Sequence, residues 1–485
     1  VTAESGDKTA RASGRERRLL AVLWLGMFLV SFDFAALAIA LPSISADLKA
    51  GLSAASWVSL AYLLSMASLM LPAGYLVGRL GVGLMVTAGF SIFALASLGC
   101  AFARDIYLLS ALRLLQGAGA AALYVSGPAA IRGRLSAALQ DRAFALYSTA
   151  GAAGLCFGPA IGGFVTAHLG WPWIFLLNLP VAAVGLLLLG RGGHQKDGTA
   201  QSAGPAAPFD VAGAMLSFFL LLGIVFSLNQ GRELGWGSPP ILAAFGFAGL
   251  VAVSLLLWEL RTAAPAFDLR LFRAPAFGFG NLGIFWFLQV TGGFLFLLPF
   301  ALQWYRGMSP DQAGLLYLVH PLAMILASLL LARLATPAWA RQFQIGGVLL
   351  MAGALALLAF SDHGTPLWVL VPALAAVGFG YGSYFPATQS QIMNGVPTAK
   401  SGQGAAANAV VRVMAQLLGI VLFETIFSQR YILPSAPSYG STATPADLAD
   451  MTAAFRLAFG TAAVIALAAL CALAPTRQDQ RETPS

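Results

Sequence analysis

The sequence predicts an all-α polytopic membrane protein: two six-helix bundles, two extra helices between them, fourteen spans in all. Three observations carry the prediction. Of 485 residues, 59% are hydrophobic and only 9% charged, against roughly a quarter charged in soluble domains. The apolar residues gather into runs of about 20, the length that crosses a bilayer. Lys and Arg are shared unevenly between the loops joining those runs. A soluble globule of this length could not hide so much apolar surface. A soluble enzyme, a disordered chain and a nucleic-acid-binding protein are therefore excluded. The formal charge of +8 reads as topology rather than as a nucleic-acid partner.

The elements follow in order. A basic tail, 1–18, precedes the first bundle, 19–190, whose runs are Leu19–Leu41, Trp57–Leu76, Leu84–Phe102, Ile106–Ile131, Ala143–His168 and Trp173–Gly190. The first run is too long for a signal-peptide core and more spans follow, so it is expected to be retained. Residues 191–208 are a Gly/Pro/Ser-rich linker. Two extra spans, Phe209–Leu228 and Pro239–Trp258, fill 209–258, and 259–276 is a connector. The second bundle, 277–474, holds Phe277–Gln303, Ala313–Leu331, Phe343–Phe360, Leu367–Gln391, Gly404–Phe427 and Thr452–Leu473, and 475–485 is a tail. Residues 429–451, rich in Ser, Thr and Pro, form the longest outer loop.

With the N-terminus in the cytoplasm, about 19 basic residues fall on the cytoplasmic side and about 6 outside, as the positive-inside rule demands. Arg113 and Arg412 remain inside the membrane. An odd number of helices between Arg191 and Arg261 would turn the second half's basic loops outward, so two are expected there, with both termini cytoplasmic.

No GxxxxGK[ST], HExxH, CxxC or GxSxG occurs. No cofactor, metal site or ATPase is expected, and the free energy for any uphill transport must come from an ion gradient or from a partner. Cys100, Cys156 and Cys471 lie in apolar runs and read as packing residues. A membrane-embedded enzyme is the rival class, but its outer-side candidates are few: Asp47, Asp105, Asp311, Asp362, His363, Asp447 and Asp450.

Ionisable groups inside spans are costly unless paired or wet, and they mark ion or substrate pathways. Asp33 lies about 21 Å into the first span and Arg113 about 10 Å below the outer surface in the fourth, at ~1.5 Å per residue. The depths match, so the two can pair if their helices are neighbours; the alternative is a fixed ion pair that only locks the helices. Gln116, Gly117, Ala120 and Tyr124 share the Arg113 face. Arg412, Asn408 and Gln416 form a polar stripe in the thirteenth span. His320, before Pro321, falls near mid-membrane as a packing residue or a ligand. Glu424 is shallower, near the outer end. In the fifth span Gly154, Gly158 and Gly162 recur every fourth residue around Pro159, giving a smooth groove and a bend.

These segments resemble the major facilitator superfamily and, within it, the fourteen-span drug:proton antiporter branch, over about residues 19–475. FDFAALAIALPSISADL is similar to that branch's first helix, with Asp33 at the acidic position. LRLLQGAGAA resembles its RxxQG motif at Arg113, Gln116 and Gly117. GLCFGPAIGGF resembles the antiporter motif GxxxGPxxGG at Gly154, Gly158, Pro159, Gly162 and Gly163. GWPWIFLLNLP is similar to the start of the sixth helix, at Trp171, Trp173, Phe175, Asn178 and Pro180, and LFLLPFALQWYRGMSPDQAGLL to the ninth-to-tenth-helix connection. The cytoplasmic loop motif GxLaDRxGRkr is reduced to Gly74, Arg79 and Gly81, with Gly78 in place of the acid.

The resemblance implies an exporter of lipophilic or amphipathic compounds in a bacterial inner membrane, exchanging them for protons by alternating access. Protons, small-molecule substrates and lipids are then its partners, and no motif points to a particular periplasmic adaptor. Asp33 is the expected proton-responsive acid, tuned by Arg113. Gly154, Gly158, Pro159 and Gly162 would shape the sliding contact. Tyr124, Trp286, Phe287 and Tyr317 would line the substrate cavity. Gly78 would weaken the cytoplasmic latch and tilt the resting protein toward an inward-open state. The rival within the fold is a transporter dedicated to one lipid, metabolite or self-made antibiotic.

Overall fold

The computed structural model describes residues 13–190, 210–262, 269–334, 339–397, 401–431 and 445–473. The expected linker 191–208 and tail 475–485 lie outside them, as does most of the longest loop. Fifteen α-helices follow one another: α1 Gly14–Asp47, α2 Leu52–Leu80, α3 Val82–Ala101, α4 Ile106–Arg134, α5 Ala137–His168, α6 Pro172–Leu189, α7 Val211–Gln230, α8 Pro239–Arg261, α9 Pro275–Phe300, α10 Pro310–Tyr317, α11 Val319–Leu334, α12 Ala340–Ala359, α13 Leu367–Asn394, α14 Ser401–Ser428 and α15 Pro445–Ala468. Among the described residues they supply fourteen segments long and apolar enough to cross a membrane, because α10 and α11 share the tenth.

Every expected span has its helix, and several helices run past the apolar run. α1 begins at Gly14 because Ser13 and Glu16 close a capping box, in which the Ser13 amide donates to Glu16 at 2.7 Å. α4 starts where the Asp105 carboxylate accepts from the amides of Tyr107 and Leu108 at 3.0 and 2.8 Å. Hydropathy marks only the lipid-facing length; caps set the helix ends.

Prolines inside these helices free carbonyls that lipid cannot satisfy. Neighbouring hydroxyls take up three of them. Pro128 frees the Tyr124 carbonyl, and the Tyr147 hydroxyl donates to it at 2.9 Å. Pro299 frees the Leu295 carbonyl, and Tyr317 donates at 3.4 Å. Pro386 frees the Gly382 carbonyl, and Ser328 donates at 3.3 Å. Each bend is thereby pinned to another helix.

Within the first group α1 packs on α5 and α6, α2 on α4, and α3 on α4 and α6; within the second, α9 packs on α14, α11 on α13, and α12 on α13 and α15. α7 and α8 form a pair, and α7 also touches α2 and α14. The face where α1 begins is termed the near face and the opposite one the far face. The two groups meet toward the far face. There α5 packs broadly on α10, the far half of the tenth span, and only slightly on α11, its near half. Gln303 donates to the Ile39 carbonyl across the same seam at 2.7 Å. Toward the near face Ala145, Leu146, Ser148 and Thr149 of α5 are exposed. The wedge so formed is a cleft closed at the far face and open at the near one.

Candidate functional site

Asp33 has no exposed surface. Its position follows from the small residues of α5. A Cβ on Gly154 would come within 2.7 Å of the Phe32 amide, one on Gly158 within 2.7 Å of Ala35, and one on Gly162 within 2.8 Å of Ala36. The α5 backbone therefore lies directly on the α1 turns that flank Asp33, leaving no room there for water. This revises the expected role of that row: Gly154, Gly158 and Gly162 face α1 inside their own bundle and not the sliding seam. Gly163, one position further round the helix, is the residue that reaches the other bundle, where a Cβ would strike the Pro310 carbonyl. The Pro159 carbonyl lies against Gly314 in turn.

On its other side Asp33 meets a polar cluster from α3, α4 and α6. Arg113, equally enclosed, holds one carboxylate oxygen through Nη1 at 2.5 Å. Gln116 and Asn178 donate to the other oxygen at 2.8 and 2.7 Å. Ser97 accepts from Gln116 at 2.8 Å and from Asn178 at 3.3 Å. Arg113 also donates to the Gln116 side-chain oxygen at 2.6 Å and through Nε to the Val58 carbonyl at 3.2 Å, while its guanidinium lies 4.2 Å from the Tyr62 ring centre. Charge-assisted bonds of this kind are about twice as strong as neutral ones, and an ion pair in a membrane bundle needs them. Three atoms of the cluster have no hydrogen-bond partner: Arg113 Nη2, Tyr62 OH and Asn178 Oδ1. They are open positions into which a proton carrier or water could bond once the helices part.

A second constellation crosses the cleft. Arg412 of α14 donates to the Tyr124 hydroxyl of α4 at 3.1 Å, and its guanidinium lies 5.2 Å from the Phe385 ring centre. One turn away, Asn408 donates to Asn281 at 2.9 Å and accepts from Gln389 at 2.8 Å. Gln416 and Trp286 are half-buried. His320 is buried between Phe294 and Tyr381, with Nε2 unpartnered. Two expected cavity residues are not in the cleft. Phe287 is fully enclosed and stacks on Tyr384 with ring centres 4.3 Å apart. Tyr317 is consumed by the proline-freed carbonyl of Leu295.

A third group lies near the far face. Glu424 is almost wholly buried; it accepts from Ser428 at 2.8 Å and from Asn229 of α7 at 3.3 Å. Asn229 also donates to Ser56 at 2.9 Å and accepts from Ser53 at 3.1 Å, both on α2. A cavity of about 280 Å³ adjoins it, walled in part by Arg232, Glu233 and Tyr431. At the near face Gly78 is exposed with open space around it, Arg79 donates, among the described residues, only to Tyr75 at 3.3 Å, and Gly74 touches Val125. Gly81 turns the chain between α2 and α3 at a φ of 85°, a conformation suited to glycine.

Sequence reasoning gave no role to Tyr62, Ser97, Asn178 or Asn229. Asn178 lies in the segment similar to the start of the sixth helix and is the one polar residue of its run, the signal that marks it. Asn229 sat at the end of a run, where a polar residue reads as a boundary.

Residues 23–423 match the family described as Major Facilitator Superfamily. The chain belongs to the major facilitator superfamily. It is a multi-pass membrane transporter and not an enzyme. Among relatives of this superfamily member, a methylenomycin A resistance protein of Streptomyces coelicolor is 31% identical over 87% of this chain and 89% of its own. The riboflavin transporter RibZ of Clostridioides difficile is 29% identical over 85% and 88%, and the multidrug transporter MdtP of Bacillus subtilis is 28% identical over 87% and 78%. A solved bacterial homolog of the human lysosomal transporter Spinster, in an inward-facing and unoccupied conformation, superposes with a TM-score of 0.66 over 98% of this chain and 100% of its own, at 14% identity. That likeness shows the fold.

Proposed function

We propose that this superfamily member is a proton-coupled exporter of lipophilic or amphipathic compounds, resident in a bacterial inner membrane with its near face and both termini in the cytoplasm. The observation that carries the reading is the enclosed Asp33–Arg113 pair, flanked directly by the close α1–α5 contact. A membrane acid held by three donors is stable where it is. It can exchange a proton only when α1 shifts against α4 and α6, so coupling requires the first bundle to deform as the two bundles, 19–190 and 277–474, alternate. The near-face cleft is then a loading state for cytoplasmic or inner-leaflet substrates, and the latch reduced at Gly78 favours it. Arg412, Asn408, Gln416, Tyr124 and Trp286 face the substrate, with His320 and Glu424 as further coupling groups.

The test is accumulation of a fluorescent drug in inside-out liposomes under an imposed pH gradient. Asp33→Asn is expected to fold and to lose gradient-driven accumulation; full gradient dependence in that variant would move the coupling acid elsewhere. The dedicated-transporter reading has its own support, since two relatives are named for a single compound. Export of one compound from a structurally diverse panel would favour it.

A further inference from the structure

The two intramembrane arginines of this chain are balanced differently. Arg113 has Asp33 at 2.5 Å. Arg412 has, among the described residues, only a phenol hydroxyl and a ring face: Tyr124 at 3.1 Å and Phe385 at 5.2 Å. Asp33 is already engaged inside the first bundle, and Glu424 lies twelve residues further along α14, about 18 Å at ~1.5 Å per residue. The groups a turn nearer the opening, Asn408, Gln389 and Asn281, are neutral amides bonded to one another. A cation half-buried in an apolar cleft with no counter-charge is an unfinished ion pair. Its surroundings are also flat and aromatic: Phe385 stacks on Tyr381 with ring centres 5.2 Å apart.

We infer that Arg412, with Tyr124, is an anion-binding site in the cleft, and that the substrates of this protein are amphipathic organic anions, a carboxylate or sulfonate on an aromatic body, in preference to lipophilic cations. The inference rests on the exporter reading above and sharpens it. The guanidinium takes the acidic head and the Tyr381–Phe385 ring stack takes the body. Because Arg412 and Tyr124 belong to opposite bundles, an anion accepting from both substitutes for a bond that now joins them directly. Binding is thereby placed at the seam whose opening moves the substrate. A cationic drug in the same position faces the uncompensated charge of Arg412 and is repelled.

The experiment uses one fluorophore with three head groups: dansylglycine, dansylglycinamide and dansylamidoethyl-trimethylammonium. Binding of each to the full chain in phosphatidylcholine nanodiscs is read by energy transfer from tryptophan. Dansylglycine is expected to bind about 10-fold more tightly than the neutral amide, the scale of one charge-assisted contact, and more tightly still than the ammonium. Arg412→Gln is expected to erase that order, and Arg412→Lys, which keeps the charge, to retain most of it. Equal binding of the three probes, a preference for the ammonium, or an unchanged order in Arg412→Gln overturns the inference; the wild-type order decides it even if the glutamine variant does not fold. Repeating the titration with phosphatidylglycerol in the discs identifies the source of the anion. Competition points to a lipid head group and undiminished binding to a free organic anion, and either result upholds the site. Gradient-driven accumulation separates the two claims. Liposomes that accumulate the ammonium over the carboxylate overturn this inference alone. Liposomes that accumulate none, while binding keeps its order, overturn the exporter reading alone.

Discussion

Asp33 and Glu424 are carboxylates buried in the same membrane protein, and their settings are opposite. Asp33 sits inside one bundle, holds an arginine at 2.5 Å and accepts from Gln116 and Asn178 as well. Glu424 sits where α14, α7 and α2 converge, accepts only from Ser428 and Asn229, and borders a cavity. No cation pairs with it among the described residues. The first acid is part of a finished electrostatic unit that a rigid rotation of the bundles leaves intact. The second is bonded across groups of helices, so opening the far face must change its partners. An acid within a bundle responds to deformation of that bundle; an acid on the seam responds to the gate.

The largest effect is expected from unpairing Asp33. Arg113→Met removes its counter-charge and leaves a carboxylate enclosed among α1, α4 and α6. The expected loss is about 3–5 kcal/mol of stability, the usual cost of orphaning a buried charge. Adding Asp33→Asn should recover most of it, since the remaining group is neutral and still has Gln116 and Asn178 as neighbours. Thermal unfolding of the solubilised single and double variants checks this. A single variant as stable as wild type, or a double variant no better than the single, would mean that the pair is not what holds the cluster.

The ease with which the sequence revealed one acid and not the setting of the other has a physical cause. Asp33 and Arg113 interrupt long apolar runs, and helix rise alone puts them at matching depth. Fourteen spans were legible for the same reason, because hydropathy integrates over twenty residues. The partners were not legible: Asn178, Ser97 and Tyr62 are ordinary residues whose meaning depends on how α2, α3 and α6 are rotated about their axes. The Gly154, Gly158 and Gly162 row was visible as a packing face, but which helix it packed on was not, and Gly163 carried the cross-bundle contact instead. Phe287 and Tyr317 looked like cavity aromatics because sequence does not record that a nearby proline has freed a carbonyl for Tyr317 to satisfy.

A smaller effect is expected at Asn229. Its amide and carbonyl oxygen join Ser53 and Ser56 of α2 to Glu424 of α14. α7 thus straps the two bundles together at the far face, a use for the extra helix pair that goes beyond filling space. Asn229→Leu keeps the side-chain branching and heavy-atom count and removes every one of these side-chain bonds while leaving Glu424 with Ser428 alone. It should cost about 1–3 kcal/mol, the range for a buried polar group losing its partner. Spin labels on the far ends of α2 and α14 should report a broader and longer distance distribution. An unchanged distribution would assign the far-face closure to the other contacts of that seam, the Gly163 backbone against Pro310 and Gly314 and the Gln303 bond to Ile39.

The smallest change in stability belongs to Glu424→Gln. Glutamine has nearly the same shape, can accept from Asn229 through its one oxygen while its amide nitrogen donates to the Ser428 hydroxyl, and removes no ion pair, so the folded state should shift by less than about 1 kcal/mol. Its effect is expected in the gate instead. If Glu424 exchanges a proton while the far face opens and closes, the α2–α14 distance in the wild type depends on pH, and the glutamine variant loses that dependence while the Asp33 cluster is untouched. The other charged or titratable groups about that cavity are Arg232, Glu233 and Tyr431, so Glu233→Gln is the matching control and should leave the pH response in place. A wild-type distance that ignores pH, or a response that survives Glu424→Gln and disappears in Glu233→Gln, would remove Glu424 from the gate. Asp33 would then be the only acid of the two with a claim on coupling, and the contrast between a sealed acid and a seam acid would be one of packing alone.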